Sequence, residues 1–281
     1  MAGQCGGFKS CEMMMDIVNR NSNVWCIMTN TPTAAVLLIG NEVLSGRTKD
    51  KNLGFIADYL TALGIDLMEA RVIADDEADI VAAVNALRAR YTYVFTTGGI
   101  GPTHDDITAD CIAKAFGVGI SHHPEASEIL LKHFAELGRE PNVARMRMAR
   151  IPDGASLIYN SVSKAPGFRI ENVFVMAGVP KVMNAMMDAL APQLSGGVVV
   201  MSRNVRFEGG EGDIAKPLKD IQEKWPMLSV GSYPFESERG FSTNLVLRGR
   251  DEVALTEAIE AVKVASEELV KAGKARGWAE V

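Results

Sequence analysis

The chain has 281 residues, 47% hydrophobic and 23% charged, and its 29 basic against 35 acidic side chains leave a net charge of −6. That balance, with no Lys/Arg cluster, gives no electrostatic footprint for nucleic acid or an anionic membrane surface, and the length allows one large core plus a smaller one. None of the four cysteines stands in a CxxC pair and no apolar run reaches membrane-spanning length, so neither zinc, dithiol redox chemistry nor a membrane span is signalled; free thiols and a cytoplasmic setting are expected.

The first stretch, "MAGQCGGFKSCEMMMDIVNRNSNVWCIM", shows no clear periodicity and lacks the continuous apolar core of a secretory signal. Residues 1–27 are expected to be a loosely ordered extension, with the N-terminal segment as a whole taken as 1–33. From Ala34 short apolar runs alternate with longer amphipathic ones, the pattern of βαβ units with a parallel sheet. "AAVLLIG" reads as a buried strand ending in Gly40. "NLGFIADYLTALG" follows as a helix with Leu53, Ile56, Ala57, Leu60 and Leu63 on one face, closed by Gly64. "IDLMEARVIA", "EADIVAAVNALRAR", "YTYVFTT" and "DDITADCIAKAFG" then alternate strand and helix, which points to a doubly wound sheet.

A helix over Pro124 to Leu137 comes next, then a polar segment to Ile151, extended segments near Leu157 and Phe168, and the strand "NVFVMAG". His122 and His123 are read as helix-entry residues. A helix runs from Pro180 to about Leu194, its proline suited to the first turn, where the missing N–H is not needed. Ser195-Gly196-Gly197 reads as a linker. Beyond it, "VVVMSRNVRF", "EGDIAKPLKDIQEKW", "LSVGSYPF", "STNLVLRGR" and "EVALTEAIEAVKVASEELVKAG" give a β-α-β-β-α order, a small α+β domain over 196–281 after a main domain over 34–195.

Three glycine-marked turns close strands of the first domain: "GNEVLSGRT" from Gly40, "TTGGIGPTHDDIT" from Thr96, and "MAGVPKVM" with Gly178 before Pro180. In an open parallel sheet, ligands collect beyond the carboxyl ends of the strands, and glycines there let the backbone approach a ligand closely. Helix-start N–H groups favour an anion such as phosphate. Asp105 and Asp106 would repel that phosphate unless a divalent cation bridges the charges, and capping of the following helix explains them equally well. Glu42 stands at the first strand end, and Arg47 could add a phosphate fork.

"GNEVLSG", "TTGGIGPTHDDIT", "SKAPGF" and "MAGVPKVM", in this order and spacing, resemble the molybdopterin-binding-like domain of molybdenum-cofactor biosynthesis proteins, and more closely the N-terminal part of the CinA (competence/damage-inducible protein A) family. "GDIAKPL", "GSYPF" and "TNLVLRGRD" look like the small domain that follows in CinA-like proteins. The resemblance implies a three-layer α/β/α domain with a mostly parallel sheet, whose sheet-edge pocket binds a phosphorylated pterin or a nucleotide. It also implies metal-dependent hydrolysis of ADP-ribose or related diphosphates, and a homo-oligomer. On this chain the family's essential aspartate falls on Asp106, beside Asp105, and its acidic residue after the first strand on Glu42. Two positions depart from the pattern: Asn41, where Asp or Thr is common, and Lys181, where many relatives are acidic.

The expected reading is therefore a pyrophosphohydrolase. Asp106 and Asp105 carry catalysis and, with Glu42, hold a divalent Mg, Mn or Co ion, while Gly98, Gly99 and Gly101 receive phosphate oxygens. Gly40, Gly46, Arg47, Thr97, Thr103, Lys164, Gly178 and Pro180 complete the expected ligand-facing set. His104 could serve as an acid or base, though a solvated loop residue explains it as well, and Asp50 and Asn52 suit either ligand contact or a helix start. Met183, Met186 and Met187 are read as packing residues. The alternative is a molybdopterin or molybdopterin-adenylate binding protein without hydrolysis. The partner in either case is a small-molecule nucleotide or pterin phosphate. The chain ends at Val281, leaving no room for a nicotinamide-nucleotide amidase domain, so deamidation is not expected.

Overall fold

The computed structural model describes residues 31–237 and 240–281, so the extension expected over 1–27 lies outside the described residues. Strand β1 (Thr33–Ile39) is buried along six of its seven residues, as a central parallel strand covered on both faces must be. After Gly40 the chain makes a single helical turn, Asn41–Leu44, and reaches α1 (Asn52–Ala62). The Asp50 carboxylate accepts the N–H groups of Asn52 and Leu53 at 3.2 and 3.0 Å, so the helix-start role falls to Asp50. At the other end Gly64, with φ 70°, lets its own N–H reach Thr61 and that of Ile65 reach Leu60 at 3.0 and 2.9 Å, a Schellman closure.

Strand β2 (Asp66–Ile73), helix α2 (Glu77–Arg90), strand β3 (Tyr93–Thr97) and helix α3 (Thr108–Phe116) continue the alternation. Helix α3 begins three residues later than the sequence pattern suggests. Asp105 and Asp106 lie in the loop ahead of it, and no side chain caps its start at Ile107. The capping explanation for the two aspartates is thereby removed.

A short strand β4 (Ile120–His122) claims His122, while the ring Nδ1 of His123 accepts the Ala126 N–H at 3.4 Å and so does serve the entry of α4 (Pro124–Glu136). The polar segment after α4 holds a helical turn, Val143–Met146, and a 3-10 turn, Arg147–Ala149, leading into β5 (Arg150–Pro152), which pairs with β4. Strands β6 (Ser156–Ile158), β7 (Gly167–Ile170) and β8 (Val173–Met176) precede α5 (Pro180–Leu190), which ends in a 3-10 turn at Ala191–Gln193.

The main sheet has the order β2-β1-β3-β8-β7-β6. Strands β2, β1, β3 and β8 pair in parallel, and β7 alone runs against its neighbours. Alternate residues of β1 divide between two cores. Leu37 and Ile39 pack with Val94 under α2, α3 and α4, whereas Val36 and Leu38 pack with Phe95 and Phe174 under α1 and α5. Phe95 and Phe174 stack with centroids 5.1 Å apart. This is the three-layer α/β/α architecture expected from the sequence. Met183, Met186 and Met187 lie in the second core as packing residues.

The described residues up to Gly197 form one unit and those from Val198 a second. The second unit opens with β9 (Met201–Gly209), three residues after the Val198 read from sequence, and continues with α6 (Glu211–Lys224), β10 (Ser229–Ser237), β11 (Gly240–Gly249) and α7 (Glu252–Lys271). A last strand, β12 (Ala275–Glu280), was not foreseen from "GKARGWAE", where alternation is weak. The antiparallel sheet has the order β10-β11-β9-β12 and buries Val205, Phe207, Leu245 and Leu247 against both helices. Among the described residues no helix is long and apolar enough to cross a membrane.

Candidate functional site

Strand β1 has β2 on one side and β3 on the other, so the crossovers leaving β1 and β2 run in opposite directions and a crevice opens beyond the carboxyl ends of β1 and β3. The turn that follows β3 fills this point. Gly98, at φ 105°, sits so close to β1 that a Cβ would overlap the carbonyl oxygen of Ile39, and the Gly178 backbone presses on it from β8. Its N–H donates to the Met176 carbonyl at 3.1 Å. Gly98 is therefore a backbone junction of three strand ends, and its N–H is not available to a phosphate, contrary to the sequence expectation.

The next residues differ. Gly99, at φ 67°, packs against the Thr108 side chain so tightly that a Cβ would overlap its hydroxyl. Among the described residues the N–H groups of Gly99, Ile100 and Gly101 donate to no other group. Around this turn three buried side-chain oxygens, Asn52 Oδ1, Thr96 Oγ1 and Thr108 Oγ1, also lack a hydrogen-bond partner. Unpartnered buried polar atoms are uncommon in native proteins, and each calls for a reason. All three lie about the end of β3 and the starts of α1 and α3, at the sheet switch point.

Asp106 is half-buried beside the turn. Its Oδ2 accepts the Thr103 N–H at 2.8 Å and the Thr103 hydroxyl at 2.6 Å, and its carboxylate lies where a Cβ on Gly101 would meet it, 2.6 Å away. Thr103 therefore orients Asp106, and the loop is closed by side-chain bonds of its own. Asp105 is exposed.

Two clefts flank the turn. The first is lined by Gly99, Ile100, Gly101, Asp106, Arg147, Met148, Arg150, Ile151, Pro166 and Phe168. Arg150 is neutralised there by a two-pronged pair with Asp110, at 2.9 and 2.6 Å. The second is lined by Glu42, Thr48, Lys49, Asp50, Asn52, Thr97, Gly178 and Pro180. Asn52 spans it, donating through Nδ2 to the Gly178 carbonyl at 2.8 Å. Glu42 is exposed and folds back over Gly40, with Oε1 2.6 Å from where a Cβ of that glycine would stand.

The structure thus brings Gly99, Gly101, Thr103 and Asp106 together, and gathers Gly40, Glu42, Thr97, Gly178 and Pro180 at the neighbouring strand ends. It separates others. Gly46 and Arg47 are exposed and line neither cleft, and Lys164, at φ 61°, is an exposed turn residue, although the same turn delivers Pro166 to the first cleft. Among the described residues no three His, Cys, Asp or Glu side chains are close enough to hold a metal ion, so Glu42 is not assembled with Asp105 and Asp106 in one metal set. Arg147 is the residue whose weight the sequence pattern did not convey, whereas Asn52, open in the sequence between ligand contact and helix start, lines the second cleft. Asn52 opens a helix, and Arg147 lies in a polar stretch without periodicity.

The chain is similar to known proteins. A family model described as "Probable molybdopterin binding domain" matches residues 35–196, and one described as "FAD synthase, middle domain" matches 199–272. A "Probable FAD synthase" of Caenorhabditis elegans is 30% identical over 269 residues, covering 86% of this chain and 51% of its own length. A "CinA-like protein" of Desulfosudis oleivorans is 37% identical over 159 residues, 55% of this chain and 38% of its own. This chain thus spans about half or less of these two relatives. The crystal structure of the protein CinA from Thermoplasma acidophilum aligns with TM-score 0.54 and 32% identity, over 58% of this chain and 98% of that one.

Proposed function

The chain belongs to the CinA-like branch of the molybdopterin-binding domain family, and on that premise we propose that it is a divalent-metal-dependent pyrophosphohydrolase acting on ADP-ribose or a related nucleoside diphosphate compound. The observation that carries this reading is the run of unpartnered N–H groups at Gly99, Ile100 and Gly101 beside the Asp106 carboxylate. Successive free N–H groups in a turn attract the oxygens of a phosphate. A carboxylate in the same cleft would oppose a bare diphosphate.

An ion bound in the manner of Mg²⁺ commonly takes one or two carboxylates and completes its shell with water and substrate phosphate. Asp106 and Asp105 would hold it, and the ion supplies positive charge and a more acidic water. The turn N–H groups bind and orient the diphosphate, Thr103 fixes Asp106, and Gly98 locks the turn to β1 and β8. Water adds at one phosphorus, the P–O bond of the diphosphate bridge breaks, and ADP-ribose yields AMP and ribose 5-phosphate. The similarity to FAD synthases puts flavin adenine dinucleotide, another diphosphate ester of adenosine, in the same candidate class.

A second reading, binding of molybdopterin or its adenylate without hydrolysis, is favoured by the lack of a three-carboxylate group among the described residues. Incubation with ADP-ribose and with flavin adenine dinucleotide across Mg²⁺, Mn²⁺ and Co²⁺, followed by chromatography for AMP, separates the two. AMP release that chelator abolishes supports the hydrolase; no AMP from any pairing, with tight pterin binding, supports the second.

A further inference from the structure

Arg147 stands out among the cations of the first cleft by its bonding. Its neighbour Arg150 is matched by Asp110 in a two-pronged ion pair, which leaves that guanidinium satisfied. Arg147 has no such partner: among the described residues no carboxylate lies within ion-pair distance of it. Its Nη2 donates to the backbone carbonyl of Asp106 at 3.2 Å, and its Nε is buried with no partner at all. A guanidinium cannot shed its charge at any ordinary pH, and an N–H withheld from both water and protein costs stability. The surroundings hold it in this state. The adjacent Ala149 is fully buried and its carbonyl is tied to the His123 N–H at 2.8 Å, while Met146 and Met148 pack on the core. The Arg147 backbone is anchored where the side chain faces the cleft that also contains Gly99, Gly101 and Asp106.

We infer that Arg147 is an anion-binding residue of this site, contacting a non-bridging phosphate oxygen of a bound diphosphate opposite the glycine turn. The inference rests on the diphosphate reading given above and adds to it a residue from outside the glycine motifs. The turn supplies neutral donors from one wall and Arg147 the fixed positive charge from the other. Its bond to the Asp106 carbonyl sets the distance between that charge and the Asp106 loop. A single cation without a carboxylate of its own matches a ligand that brings the negative charge, whereas a neutral or cationic ligand would leave that charge unmatched.

The test is calorimetric titration of the full chain with inorganic pyrophosphate in Mg²⁺, comparing the parent with Arg147→Ala, Arg147→Gln and Arg147→Lys, with thermal unfolding of each. The glutamine amide carries no charge and ends near the position of Arg147 Nε, short of the Asp106 carbonyl, so comparison with Arg147→Lys, which keeps the charge, separates the ionic contact from the loop-holding one. Pyrophosphate affinity is expected to fall about 10- to 100-fold in Arg147→Ala and Arg147→Gln, and less in Arg147→Lys, which keeps charge without the planar fork. Arg147→Gln that unfolds at the parental temperature and binds within twofold of the parent overturns the inference, as does a parent that does not bind pyrophosphate. The hydrolase reading is scored separately by AMP release. Loss of pyrophosphate binding in the variants of a parent that releases no AMP leaves Arg147 in place and removes hydrolysis. AMP release with unchanged kcat and KM in Arg147→Gln does the reverse.

Discussion

Replacing Thr108 by valine is expected to make the protein more stable and worse at binding its ligand. Thr108 opens α3, is 0% exposed, and its hydroxyl has no partner, while its side chain packs against Gly99. A buried hydroxyl without a hydrogen bond costs about 1–3 kcal/mol, and valine keeps the branched shape while removing that cost. In a unit of roughly 150–250 residues each 1 kcal/mol moves Tm by about 2–4 °C, so Thr108→Val should melt about 2–12 °C higher. If the hydroxyl donates to a bound phosphate, its loss should weaken ADP-ribose binding by about tenfold or more, since a hydrogen bond to a charged group is worth about 1.5–3 kcal/mol. Thermal and urea unfolding measure the first effect, and calorimetric titration with ADP-ribose in Mg²⁺ the second. A variant that melts several degrees lower would show that the hydroxyl is satisfied in the native protein. A more stable variant with parental affinity would show that the cost is unconnected with the ligand.

Asp106→Asn should abolish AMP release while lowering stability by no more than about 1 kcal/mol, because an amide oxygen can still accept both Thr103 donors; parental turnover would remove Asp106 from the chemistry. Gly98→Ala should destabilise by more than about 3 kcal/mol, since a Cβ at positive φ would drive into the Ile39 carbonyl between fixed strands, and a parental urea midpoint would contradict that packing. Burial pushes the Cys111 thiol up to about 11, with the Glu77 and Asp110 charges adding to the effect. A folded pKa above the unfolded one means that its contribution to stability is complete below pH about 9 and is lost as pH rises toward 11. Peptide mapping after alkylation at pH 8 should find Cys111 labelled only in denaturant.

The elements of this protein are legible in its sequence wherever the signal is local. The burial of β1 follows from its uninterrupted apolar run, the end of α1 from Gly64, and the entries of α4 and α5 from Pro124 and Pro180, because each depends on residues within a turn or two. The three glycine-marked strand ends are equally visible, and with them the parallel sheet and the candidate edge. What each residue does at that edge depends on partners far away in the chain. Gly98 loses its N–H to Met176, Asn52 is recruited by Gly178 across 126 residues, and Arg147 reaches Asp106 across 41. Pattern alone could not separate a capping from a free aspartate either, since moving the start of α3 to Thr108 turns one reading into the other. Periodicity records which face of an element is buried; the sheet order β2-β1-β3-β8 decides which strand ends meet, and a polar side chain acquires its role only from the groups that packing places beside it.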